Sequence, residues 1–357
     1  METTEFGRMQ GENLSRVVDI VRDKITVYET QVNPVALTFY YLKSDNPLLD
    51  EKFDELRREL VPMGFIPFLR EDAENVLIVT ASPKVNHLGN KVNLVLFVLT
   101  LASTIYWGSI YAENYTNGEL ASIFYGLLFF AGPLMLILGL HELGHFFTAR
   151  RLKVKASFPF FIPFPLFLGT FGAFISLRDP IPNRKAMIEI GAAGPIVGFI
   201  ACIPLLFLSG YLQTVFLPIH NYSSSFQVNF PYLYNLLGMV QNPAQIFPMQ
   251  LAVWVGFLAT AMNLLPISQL DGGHIARGVL GRRSNLLGYF MVAVLFYIGL
   301  EYYSGWLILS IFGVMMGLSH PPPLDDYSRI NLRHVLIAAA ALAIFLLSFN
   351  VAPLVPT

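Results

Sequence analysis

Residues 121–149 read ASIFYGLLFFAGPLMLILGLHELGHFFTA, and Arg150-Arg151 follow directly. About 20 consecutive apolar residues cross a bilayer as a helix, so this stretch predicts a membrane span. Its only ionisable groups are His141, Glu142 and His145, close to the basic end. Ionisable residues inside a span are costly and mark a functional site. On a helix, positions i and i+4 share a face, so both imidazoles of this HExxH pattern can bind one zinc ion. Glu142 stands beside them, where it can accept a proton from water. Arg150 lies about 13 Å of helix beyond His141, which keeps the group below the membrane surface yet within reach of water.

The rest of the chain fits such a setting. Of 357 residues, 54% are hydrophobic and 13% charged, and the mean hydropathy is +0.55. A soluble domain carries about 25% charged residues, so an ordinary cytosolic enzyme and a disordered chain are both excluded. The charges are uneven: residues 1–85 hold 25 of the 47. That asymmetry predicts a small polar domain at 1–85 and a polytopic membrane body at 86–357. A net charge of −1 singles out no charged partner, and nothing points to nucleic acid. The single cysteine, Cys202, rules out an intrachain disulfide and a cysteine zinc cluster. The charged N-terminus lacks an apolar core, so no cleavable signal peptide is expected.

Further spans are predicted at 92–112, 186–211, 249–265 and 332–351. Residues 286–318 are long enough for two short helices, broken near Glu301-Tyr302-Tyr303-Ser304-Gly305. Seven spans place every Lys and Arg on one side of the membrane. Since basic loops stay cytoplasmic, the N-terminus is expected inside and the C-terminus outside, in the plasma membrane if the source is prokaryotic. The sequons at 114–116 and 221–223 would then be external. Residues 156–177 carry no charge but contain Pro159, Pro163, Pro165, Gly169 and Gly172. They are read as a re-entrant loop with 169–177 extended, because such backbone survives at this depth only against protein or water. The fold class is thus a mainly α membrane protein with about seven spans and a re-entrant loop, preceded by a small α+β soluble head. In that head, 25–32, 35–42, 65–69 and 76–81 read as strands and 48–60 as an amphipathic helix. It contains no ligand set and is expected to regulate or to sort substrates.

A catalytic zinc usually has three protein ligands and an open position for water. Glu113, Glu119 and Glu301 fall at the wrong membrane face, and His87, His220, His320 and His334 read as interfacial residues. Glu189, beside Gly191 and Gly194-Pro195, is a candidate supporting group. Asp271 follows the 249–265 span at the same face as HExxH, within Asn263-Leu264-Leu265-Pro266-Ile267-Ser268-Gln269-Leu270-Asp271-Gly272-Gly273-His274. Pro266 would end the helix, and Gly272-Gly273 would permit a tight turn that aims the carboxylate back. Asp271 is the leading third ligand and His274 its rival.

HExxH late in one span, with Asn-x-x-Pro-x-x-x-x-Asp-Gly ending a later one, resembles the site-2 protease family of intramembrane zinc metalloproteases, peptidase family M50. Asn263, Pro266, Asp271 and Gly272 match the second motif without a gap. Gly169-Thr170-Phe171-Gly172-Ala173 resembles the glycine-containing loop such proteases place beside the metal, and Gly194-Pro195 a Gly-Pro of the intervening span. The resemblance covers about residues 120–275. It implies one zinc ion held by His141, His145 and Asp271, Glu142 as general base, and Asn263 as a group holding substrate or oxyanion. No PDZ-sized insertion separates the motifs. The soluble head and His320-Pro321-Pro322-Pro323-Leu324-Asp325-Asp326 resemble a PDZ-less branch instead. The implied activity is hydrolysis of membrane-spanning protein substrates, with the substrate unwound and paired along 169–177. Two alternatives stand beside it: a zinc-binding transporter or scaffold, for which paired broken helices are missing, and another class of HExxH membrane protease, which would need a downstream glutamate ligand.

Overall fold

The structure, a computed structural model, describes residues 11–46, 48–71, 74–83, 89–219, 226–237, 246–317 and 319–356. His87, His220 and the sequon at 221–223 lie outside the described residues.

The head opens with a helix that strand and turn signals did not reveal, α1 (Gly11–Lys24). It is followed by β1 (Val27–Asn33), β2 (Ala36–Tyr41), α2 (Leu49–Leu60), β3 (Phe65–Glu71) and β4 (Asn75–Ala81). The four strands form an antiparallel sheet in the order β1-β2-β4-β3. Strand alternation puts Leu37, Phe39 and Tyr41 of β2, Phe65 and Leu69 of β3, and Leu77 and Val79 of β4 into one core. Val17 and Val21 of α1 and Leu49, Phe53, Leu56 and Leu60 of α2 close it at helical spacing. Leu324, from far down the chain, completes this core, and the Leu69 amide donates to its carbonyl at 2.9 Å.

The membrane body is helical. It comprises α3 (Asn90–Ala112), then α4 (Glu119–Gly126), which runs through a five-residue π segment (Leu127–Ala131) into α5 (Gly132–Arg151). A hairpin of β5 (Phe160–Pro163) and β6 (Thr170–Phe174) precedes α6 (Arg184–Val215). Next come β7 (Phe226–Val228), α7 (Tyr232–Leu236), α8 (Pro248–Asn263), α9 (Asp271–Leu280), α10 (Ser284–Glu301), α11 (Gly305–Met315), α12 (Leu332–Ser348) and β8 (Leu354–Pro356). Strand β8 pairs antiparallel with β7, tying the chain end to the 212–248 loop.

Four helical runs are long and apolar enough to cross a membrane: Asn90–Tyr115, Glu119–Arg151, Arg184–Val215 and Asp271–Glu301. Helices α11 and α12 are apolar but shorter. Helix α8 has 16 residues, about 24 Å of rise, and is buried along most of its length within the bundle. One segment differs from the sequence reading. Residues 266–285, expected as a loop, contain α9, which leads through a single tight turn into α10. Ile275 and, one turn on, Val279 pack against residues of α6 and α12, which gives this polar-looking stretch its helical core face. Residues 156–177 hold no helix; a bridge between Ala156 and Leu177 closes the base of the β5–β6 hairpin.

Candidate metal centre

Helix α5 carries His141, Glu142 and His145, all buried. They face α6 across a strip kept clear by glycine. A Cβ on Gly194 would stand 2.0 Å from His145 Nε2, and one on Gly198 would stand 3.0 Å from His141 Nδ1. Asp271 arrives from a third direction. Helix α8 stops at Asn263, ahead of Pro266, the loop beyond that proline turns sharply with Ser268 at φ 43°, and Asp271 opens α9. Gly272 and Gly273 lie in the first turn of α9 rather than in a loop turn. Their smallness serves a close approach: a Cβ on Gly272 would sit 2.0 Å from the Leu264 carbonyl oxygen, and one on Gly273 would sit 2.1 Å from that of Ser268.

Asp271 Oδ2 lies 3.2 Å from His141 Nε2 and 3.2 Å from His145 Nε2. One ligand atom from each residue falls within 4.8 Å of the other two. A tetrahedral zinc with bonds of 2.0–2.2 Å has ligand–ligand edges of about 3.3 Å, so the spacing suits that ion. The tautomer points the same way. His145 Nδ1 lies 2.7 Å from the Ile190 carbonyl oxygen, which can only accept, so the proton is on Nδ1. Nε2 is then the ring atom turned toward the carboxylate, a contact that either a second ring proton or a bound metal ion bridges. A donor set of two imidazoles and one carboxylate, with one ring held by a carbonyl behind it, fits zinc.

Glu142 stands beside this triangle and lines a cavity of about 600 Å³ that His145, Asn263, Asp271, His274, His320 and residues 173–177 also line. The Ile175 backbone N–H, just past β6, is directed at its carboxylate. Asn263 holds its side-chain amide nitrogen 3.4 Å from His141 Nε2, at the edge of the triangle. Strand β6 pairs only with β5 among the described residues, so its other edge faces this cavity.

The structure separates the remaining candidates. His274 lies outside the three-residue set, with Nδ1 3.1 Å from the Leu270 carbonyl oxygen and its ring against His320, centroids 4.4 Å apart. His320, read from sequence as interfacial, is buried in the cavity wall; burial and the adjacent His274 push its imidazole down to about 4. Glu189 is not behind the ligands. It pairs with Arg151 of α5 and with Arg333 and His334 of α12, the last two at 3.7 and 3.2 Å. The Ile190 and Ile175 backbone groups escaped the sequence reading because main-chain donors and acceptors leave no residue-type signal.

Residues 129–304, which span the entire arrangement, match the model of peptidase family M50. That match takes in just under half of the chain. The chain is similar to the protein described as probable zinc metalloprotease EGY1, chloroplastic, of Arabidopsis thaliana: 30% identical over 60% of this chain and 44% of the relative. The EGY1 protein of Oryza sativa subsp. japonica is 36% identical over 40% of this chain and 26% of its own length. The probable zinc metalloprotease EGY2 of Arabidopsis thaliana is 32% identical over 42% and 28%. The chain therefore spans less than half the length of these relatives. Zinc is the metal of the family, and in this chain the His141, His145 and Asp271 cluster is the group suited to hold it.

Proposed function

We propose that this chain is an intramembrane zinc endopeptidase that hydrolyses peptide bonds of membrane-spanning proteins. The observation that carries the reading is the triangle of His141, His145 and Asp271 with Glu142 beside it, buried on helices long and apolar enough to span a bilayer. His141, His145 and Asp271 are the proposed ligands. Zinc bound there supplies Lewis acidity toward a carbonyl and acidifies water. Glu142 accepts the proton of the attacking water and returns it to the leaving amine. Asn263, at the rim of the triangle, donates its amide to the carbonyl oxygen that gains charge. The free edge of β6 accepts an unwound substrate segment as an added strand, since a helical peptide keeps its carbonyls hydrogen bonded. The cavity on the Glu142 side admits the water.

The proposed arrangement has seven spans, α8, α11 and α12 completing the four long ones, with the basic loops and the head at the cytoplasmic face. The head, residues 1–85, governs substrate access and supplies no chemistry. Glu142→Gln keeps the shape of the site and removes the proton acceptor. Purified variant should retain one zinc per chain and cleave a membrane substrate about 10²–10⁴-fold more slowly. Cleavage at the wild-type rate would sink the proposal. So would a cytoplasmic C-terminus in cysteine-accessibility labelling, for the span count.

A further inference from the structure

A hollow of about 780 Å³, larger than the cavity at the metal centre, opens between the head and the membrane body, walled by Arg57 and Arg58 of α2 on one side and by the 150–158 loop and Arg178 on the other. Arg150, Lys153 and Lys155 complete its basic lining, and Asp179 is the one acid there. That acid is partly engaged, since its Oδ2 accepts the Lys155 backbone N–H at 2.9 Å. Arg57 and Arg58 are held by Asp54, and Arg57 also donates to the Leu152 and Lys153 carbonyls at 3.2 Å each, which pins the two walls together. The Arg150, Lys153, Lys155 and Arg178 side chains have no carboxylate partner among the described residues. The hollow's apolar side is formed by Phe146 and Phe158, whose rings stack, with the Arg150 guanidinium 5.9 Å from the Phe146 ring. Phe147 and Phe158 are exposed beside it, at the end of the α5 run where a bilayer surface would lie.

Basic loops alone explain cations at a cytoplasmic surface, but not this shape. A solvated positive face needs no concavity and no second wall. Here the head, which has 15 acids against 10 bases, turns an arginine pair toward the basic loop of the body. Asp54 already pairs with Arg57 and Arg58, which leaves Arg150, Lys153, Lys155 and Arg178 as gathered like charges that repel unless an anion joins them. The apolar rings at the same level fit an amphiphile with its charge in the hollow and its chains along α5. We propose that this hollow binds a phosphate group, that of an anionic phospholipid of the surrounding leaflet, and that the bound lipid cements the head to the membrane body. Basic pockets at the membrane surface take such headgroups, and guanidinium forks match phosphate oxygens.

The test uses the full chain purified in dodecylmaltoside. It is titrated separately with dihexanoyl-phosphatidylglycerol, dihexanoyl-phosphatidylcholine, inorganic phosphate and a short poly-glutamate peptide. Adducts are counted by native mass spectrometry, with the melting midpoint followed in parallel. Phosphatidylglycerol should bind saturably at one per chain and raise the midpoint, and phosphatidylcholine should do neither. In Lys153→Gln/Arg178→Gln the affinity should fall about 30-fold, at roughly a factor of five for each cation removed. Arg178→Lys should keep most of the binding. Zinc content and elution volume report that the variants are folded, independently of any proteolysis. Inorganic phosphate binding as tightly as the lipid would support the phosphate site and assign it to a free anion. Poly-glutamate binding without phosphate or lipid binding, or no difference between wild type and the double variant, would overturn the proposal.

Discussion

Two half-buried carboxylates, Glu189 and Asp271, face histidines in this molecule, and their surroundings are opposite. Glu189 meets His334 with Arg151 and Arg333 alongside, so the chain supplies its own positive charge and closes α5, α6 and α12 against each other. Asp271 meets His141 and His145 with no arginine or lysine in the cluster, and the carbonyl behind His145 keeps Nε2 turned toward the carboxylate. One cluster is electrically complete as folded. The other has no fixed positive charge of its own and is suited to receive a metal cation. A third pair belongs with the first: Arg277 of α9 and Asp326 lie 2.5 Å apart, nearly sealed from solvent, on the segment that carries Leu324 into the head. The difference separates structural ion pairs from a metal site without reference to any motif.

The comparison breaks most visibly at the ligands. Asp271→Ala or His145→Ala should abolish stoichiometric zinc, read by atomic emission on purified protein, whereas Glu189→Gln should leave zinc at one per chain. Zinc lost equally in all three would erase the distinction. Next in size is Asp326→Ala, which strands a buried guanidinium and should cost about 3 kcal/mol, seen in denaturant or thermal unfolding. Asp326→Ala with unchanged stability would mean that the pair is solvated. Gly194→Ala presses a methyl group onto His145 Nε2 and should weaken zinc at least about tenfold in competition with a chelator, with Glu189 and its partners undisturbed. The smallest effect concerns Asp325. Burial raises its carboxyl to about 6 despite the amides of Tyr327 and Ser328. The native state thus holds a proton that the unfolded chain releases near pH 4, so the contribution of this one group to stability is greatest below pH 4 and is lost as pH rises through about 6. The melting midpoint should drop by about a few degrees across that window, and Asp325→Asn should flatten the slope.

Legibility in the sequence followed the range of the interactions involved. The β2–β4 core, helix α2 and the long apolar runs were readable because strand alternation and helical spacing are local. Helix α1 was missed although Val17 and Val21 sit one turn apart, because its charged, low-hydrophobicity sequence masks a narrow apolar stripe. HExxH was legible because both imidazoles lie on one helix. Between Asp271 and His274 the residues left the choice open, since either could lead a turn back into the bundle. The geometry sets His274 aside, its ring packed on His320 and its Nδ1 on Leu270. Glu189 was read as a group supporting the ligands for the same reason: its neighbours in sequence are glycines of the packing strip, whereas its partners come from α5 and α12.

By itself the sequence pointed to a membrane-embedded chain with a small polar head, to His141, Glu142 and His145 as the candidates for its chemistry, and to a later Asn–Pro–Asp–Gly segment as their partner. Those properties depend on composition and on periodicities of two to four residues. Only the tertiary structure decided that Asp271 closes the triangle, that Ile190 fixes the His145 proton, and that Leu324 from beyond α11 fills the head's core. It also decided that two arginines of an acidic head face a basic loop across a hollow. Each of these joins residues tens to hundreds of positions apart, and such pairings are chosen by packing, where a glycine-lined strip on α6 lets three helices approach, rather than by any local pattern.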